Sequence, residues 1–125
     1  MRKALFAVLV LSIASAASAV APGTAQNFLD RANRLKSKGP LAFFDSDYSK
    51  LKAEATAVGK SIGDDRIAAE KAHKPILYCS AQARASLGNF EFIDGLEAIP
   101  SAERATMSLK DAMIRVLQKK YPCRR

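Results

Sequence analysis

Residues 45–62 read Asp45-Ser46-Asp47-Tyr48-Ser49-Lys50-Leu51-Lys52-Ala53-Glu54-Ala55-Thr56-Ala57-Val58-Gly59-Lys60-Ser61-Ile62. Tyr48, Leu51, Ala55, Val58 and Ile62 follow one another at steps of three, four, three and four, the spacing of an apolar stripe on a helix. The acids and serine at 45–47 offer side-chain oxygens to the free N–H groups of a first turn. The helical pattern continues to about Ala72. Gly59 and Gly63 each weaken a helix by roughly 1 kcal/mol relative to alanine, and Ile67, Ala68 and Ala69 lie out of phase with Ile62. The stretch 46–73 is therefore read as one kinked helix or as two. The glycines mark either a break near 61–65 or the close approach of a neighbouring helix.

Working outward, Thr24 can cap a helix whose apolar face is Ala25, Phe28, Leu29, Ala32 and Leu35. Lys36 and Lys38 suit the negative end of its dipole, and Gly39-Pro40 stops it. Leu41-Ala42-Phe43-Phe44 is expected to be an apolar connector that plugs the core. On the other side, His73-Lys74-Pro75 ends the long pattern, residues 75–79 read as an extended linker, and residues 80–88 as a loop or short helix. Asn89 can cap a helix carrying Phe90, Ile93, Leu96 and Ala98 or Ile99, closed by Pro100. Residues 101–107 form a turn with room for one helical turn. Ser108 with Asp111 three residues later approximates a capping box, opening a last helix whose face is Leu109, Ala112, Met113, Val116 and Leu117. The fold class is all-α: a small bundle of four to five helices.

The N-terminus is basic at Arg2 and Lys3, then uncharged and apolar, then rich in small residues, the layout of a cleavable secretory signal peptide. Its apolar run is about 10 residues, against the roughly 20 needed to span a bilayer. Ala17-Ser18-Ala19 predicts cleavage before Val20, with Ala14-Ser15-Ala16 as a second candidate. The alternative is that these residues form an apolar first helix of the domain. Cleavage after residue 19 leaves one domain, 20–125, and takes the formal charge from +8 to +6. No cysteine sits near the cleavage point for a lipid anchor, so a periplasmic or otherwise exported protein without membrane anchor is expected.

Export gives the two cysteines an oxidising compartment, where a pair persists as a disulfide. With only Cys79 and Cys123 present there is one intramolecular pairing. A redox pair would more often be spaced C-x-x-C; the reading taken is a structural bridge. It closes a loop worth about 4 kcal/mol in the chain-entropy account.

Other chemistry is sparse. The only histidine, His73, beside Lys74, reads as a helix C-cap; a metal site needs three or four converging ligands. No serine lies in a Gly-x-Ser-x-Gly elbow. Asp64-Asp65 and Asp45/Asp47 read as helix-end or surface charges rather than as two acids held across a cleft. No catalytic residue, metal or cofactor is assigned, and the chain is read as a non-enzyme. The positive charge is interleaved with acids and has no stripe of stacking aromatics, which argues against nucleic acid. Lys119, Lys120, Arg124 and Arg125 crowd the C-terminus, where a solvated helix end is the simpler reading and docking of an acidic partner the sharper one.

Tyr78-Cys79, the helical stretch Phe90 to Ile99, Pro100, the helix Ser108 to Lys120 and the terminal Tyr121-Pro122-Cys123 together resemble the Rap/Tai type of immunity protein. The likeness covers residues 78–123. The run Ser80-Ala81-Gln82 departs from the proline-rich turn of that pattern, and residues 24–73 carry no motif matching it. The resemblance implies a small helical periplasmic protein, often dimeric, that binds and blocks a peptidoglycan-cleaving amidase delivered by type VI secretion, and it implies the same Cys79–Cys123 bridge. It assigns no partner-contact residues. The expected function is a non-enzymatic exported binding protein, possible homodimer, of the immunity kind. The alternative is a small periplasmic stress or chaperone-like helper, or an envelope-associated protein on the same scaffold.

Overall fold

The computed structural model describes residues 23–82 and 85–124. The expected leader and both cleavage sites lie outside them. The helices are α1 (Ala25–Lys36), α2 (Ser46–Lys71), α3 (Asn89–Glu97), the single turn α4 (Ser101–Arg104) and α5 (Leu109–Lys120), with a 3-10 helix, Gly39–Phe44, between α1 and α2. The described residues contain no β-strand, only one isolated antiparallel bridge between Thr24 and Ser108. The all-α bundle with its disulfide is thus the observed architecture.

The two helices with the cleanest periodicity begin where their caps predict. The Thr24 hydroxyl accepts from the Asn27 N–H at 3.2 Å, and the Ser108 hydroxyl accepts from the Asp111 N–H at 3.0 Å. These two starts are stitched together: Ala25 N–H donates to Met107 O at 2.9 Å and Leu109 N–H to Gly23 O at 3.1 Å. Every residue expected on the inner face of α5 is buried, as are Ala25, Phe28, Leu29 and Leu35 of α1. Both α2 and α3 pack on this α1–α5 pair.

Of the two readings left open for 46–73, the structure has the single helix: α2 runs unbroken for 26 residues, capped by Asp45, whose carboxylate accepts from Asp47 N–H at 2.9 Å. Gly59 and Gly63 interrupt nothing; α2 packs along α5, and a Cβ at Gly59 would lie 3.8 Å from Met113 Sδ, an ordinary contact. Two expectations are corrected. First, Leu41–Phe44 does not plug the core. None of the 3-10 helix is buried and only Ala42 leans on the core. Second, α3 is rotated relative to the expected face: Gly88, not Asn89, is its N-cap, Phe92, Leu96 and Ile99 are buried, and Phe90 is exposed. Glu91 reaches back to accept from Gly88 N–H at 3.3 Å.

The C-terminal end of α2 closes with His73 in the left-handed region (φ +54°). His73 N–H donates to Glu70 O at 3.2 Å and Lys74 N–H to Ala69 O at 2.8 Å, the paired bonds of a Schellman cap. Beyond it the linker lacks regular structure and is held from both sides. On one side is the disulfide, Cα–Cα 4.9 Å, with Cys79 N–H donating to Tyr121 O at 2.8 Å. On the other is Arg66, a buried guanidinium on α2. It donates to the Ser80 hydroxyl, to Ser80 O at 2.9 Å and to Gln82 O at 3.1 Å, pairs with Glu70 at 3.0 Å, and lies 5.0 Å from the centre of the Tyr78 ring. A buried charge is tolerable because each of its three nitrogens is hydrogen-bonded. At the opposite corner Arg104 donates to Leu96 O, Glu97 O and Ile99 O at 2.6–3.2 Å and to Gln26 of α1 at 2.8 Å. Carbonyls left free at the end of α3 are thereby satisfied by a cation.

Helices α3 and α5 approach closely at Gly95. A Cβ there would sit 2.7 and 2.8 Å from the two Val116 methyls. Alanine gains roughly 1 kcal/mol of helix propensity over glycine, but a β-branched valine has little rotamer freedom to yield, and overpacking costs about 1–3 kcal/mol. Gly95→Ala is therefore expected to lower stability in urea unfolding, and Val116→Ala added to it should recover part of the loss. Reducing the Cys79–Cys123 bridge, which spans 44 residues of sequence, should lower unfolding free energy by about 4 kcal/mol. The check is the urea midpoint with and without reductant, against a Cys79→Ala/Cys123→Ala variant that should be insensitive to it.

Candidate functional site

Because α2 and α3 each pack on α1 and α5, they face one another across a gap. The gap is an open groove of about 480 Å³. Its floor comes from α1, α2 and α3: Phe28, Leu35, Leu51 and Phe92, all buried. The Phe28 and Phe92 rings meet at 5.6 Å between centroids, tilted by 53°. One lip is the 3-10 helix, where Phe43 stands edge-on to Tyr48 at 5.2 Å. The other lip is Phe90 at the start of α3. Leu41, Phe43, Phe44 and Phe90 are 71, 67, 89 and 73% exposed. Of these, Phe43 and Phe90 line the groove itself, while Leu41 and Phe44 stand on the same 3-10 helix as Phe43. Single exposed apolar side chains need no explanation, but large aromatic ones lining one concavity mark an interaction site. Beside it, sharing Lys52, Ala55, Asn89 and Phe92, lies a smaller recess of about 230 Å³ that reaches Tyr78, Leu87 and Met113.

Charge at the groove is one-sided. Lys36 and Lys52 are its charged lining residues, and neither has an ion-pair partner among the described residues. Carboxylates close in sequence are engaged elsewhere. Lys38 binds Asp45, and that hydrogen bond, with a second from the Asp47 N–H, holds the Asp45 carboxyl below its ordinary value. Arg31 pairs with Glu54 at 2.8 Å and Lys120 with Glu91 at 2.6 Å. The walls are therefore apolar and the rim positive.

The sequence-derived candidates fall elsewhere. Cys79 and Cys123 are bridged. His73 is an exposed helix terminus far in role from any cluster, and no group of metal-ligating side chains converges among the described residues. Asp64 pairs along α2 with Lys60 at 2.7 Å, and Asp65 pairs across to Lys110 of α5 at 2.6 Å, both on the surface. The basic C-terminal cluster is thinner than its sequence suggests: Lys120 is held by Glu91, by Ser86 O at 2.9 Å and over the Tyr121 ring at 5.2 Å. No helix among the described residues is long and apolar enough to cross a membrane. The groove itself was signalled only by the aromatic pair Phe43-Phe44, read as an apolar connector plugging the core, and by Phe90, placed on the buried face by helical spacing.

The chain matches no protein-family model, no curated protein and no solved structure.

The Glu91–Lys120 pair fastens the Phe90 lip to the end of α5 and has a testable signature. Hydrogen bonding from Lys120 holds the Glu91 carboxyl below its ordinary 4.5, and the same bond raises Lys120 above its ordinary 10.5. The carboxylate contribution is complete above pH 4.5 and is lost as pH falls through the lowered folded value; the ammonium contribution is complete below 10.5 and is lost as pH rises beyond it. In urea titrations between about pH 5 and pH 2, the protein should lose stability more steeply than Glu91→Gln, which keeps the Gly88 contact but not the charge.

Proposed function

We propose that this chain is an exported, non-enzymatic binding protein that acts by covering its partner, and that the partner is a peptidoglycan-cleaving effector against which it confers immunity. The observation that carries the binding role is the aromatic-lipped groove between α2 and α3. A surface of this kind remains exposed to water at a free-energy cost of roughly 25 cal/mol per Å² of apolar area, and a partner that covers it recovers that cost. The scaffold behind it is rigid, with α3 held by Arg104 and the linker by Arg66 and the bridge, so little ordering is required on binding. Support for the immunity role is the resemblance of residues 78–123 to Rap/Tai proteins, together with the leader-like N-terminus and the bridge, which suit the periplasm.

The same exposed apolar residues favour a second reading, a chaperone-like envelope helper. The two separate by partner: an immunity protein has one, a helper has many. Cells lacking this gene should be sensitised to attack by sister cells, and restoring it should protect them. Phe43→Asp/Phe90→Asp should abolish protection and co-purification with the amidase effector that the wild-type protein captures. These exposed positions should change stability by no more than about 0.5 kcal/mol, checked by thermal unfolding. Unchanged sensitivity on deletion, with protection of unrelated clients from aggregation at low pH, would favour the helper.

A further inference from the structure

We propose that the groove receives an amphipathic helical segment of the partner protein, with an apolar stripe flanked by carboxylates. Three features point to this occupant. The concavity is walled by helices on two sides and floored by Phe28, Leu35, Leu51 and Phe92, a surface that accepts side-chain knobs at i, i+3, i+4 and i+7 of an inserted helix. Phe43 of the 3-10 helix and Phe90 of α3 both line it and are both exposed, so a segment lying in it meets an aromatic side chain from each of these elements. Lys36 and Lys52 line the groove with no counter-ion among the described residues, and no carboxylate of those residues lines it. Acidic flanks complement that rim and basic ones are rejected by it.

Other occupants fit less well. A bilayer is broad and reaches only the protruding lips, leaving the floor uncovered. A second copy docked through the same face would bring the Lys36 and Lys52 of each chain together, and like charges brought together in an interface oppose association. A dimer formed through another face is unaffected by this argument.

The inference rests on the binding reading above, in that it takes the partner to be a protein. Its test is a titration of the purified protein, expressed from the whole coding sequence, with a fluorescent helical peptide of about 16 residues carrying Phe or Leu at i, i+3, i+4 and i+7 and Glu on both flanks. A second peptide replaces each Glu with Lys. The Glu peptide should bind saturably and about tenfold or more tighter than the Lys peptide at low salt, and the difference should shrink as salt rises. Lys36→Glu/Lys52→Glu should reverse the preference. Phe90→Asp should weaken the Glu peptide about tenfold with an unchanged melting temperature.

Equal affinity for the two peptides, or binding indifferent to these substitutions, would overturn the proposal. So would co-sedimentation with vesicles of anionic phospholipid when neither peptide binds, which assigns the face to a membrane. Concentration-dependent dimerisation abolished by Phe90→Asp, without peptide binding, would assign it to a second copy. Protection of cells with no peptide binding sinks this inference alone; peptide binding without protection sinks only the immunity role.

Discussion

The structure depends on the face of α5 formed by Leu109, Ala112, Met113, Val116 and Leu117. Twelve residues of helix present one apolar stripe, and α1, α2 and α3 all pack on it. Three neighbours around one helix cannot all touch each other. α1 sits where it meets both α2 and α3, leaving those two separated. The groove is thus a geometric remainder of a saturated central helix, not a defect in core packing. Gly95 sharpens the effect, because the missing side chain lets α3 come down onto Val116 and commits it to α5.

What the sequence made legible follows from this hierarchy. α1 and α5 could be read residue by residue, because each has one neighbour-rich side and one wet side, and Thr24 and Ser108 announce their starts. The 26-residue α2 was legible as a helix but not as a single one. Its glycines carry a propensity penalty that tertiary packing against α5 offsets, and propensity alone cannot weigh that. Phe90 and Phe92 lie on different sides of a nine-residue helix, so both phases look apolar; only the cap at Gly88 and contact with Phe28 decide between them. Leu41–Phe44 misled because an apolar run is a statement about transfer free energy, and burial also needs a place to go. Proline-started and only six residues long, the 3-10 helix turns its aromatic side chains away from a core already filled.

Arg66 marks the opposite error. A cation in a helix otherwise dotted with Lys, Glu and Asp reads as solvent-facing. Its partners, the carbonyls at Ser80 and Gln82, belong to a segment with no periodicity to place it. The bridge and this guanidinium act on the same few residues from opposite sides. The disulfide limits where the linker can travel, and the arginine determines how its backbone groups are satisfied once it is there. Immunity and the acidic helical partner are proposals that draw on different observations: one on the pattern around the cysteines, the other on the groove.

The 3-10 segment Gly39–Phe44 buries none of its residues. Most substitutions at Leu41, Phe43 and Phe44 are therefore close to neutral for folding, while those at Phe43 directly alter the lining of the groove. A chain whose partner changes can follow it by rewriting these positions, and α1 and α5 need not drift at all. Selection would then act on two clocks within one small domain, a slow one for the bundle and a fast one for its lip.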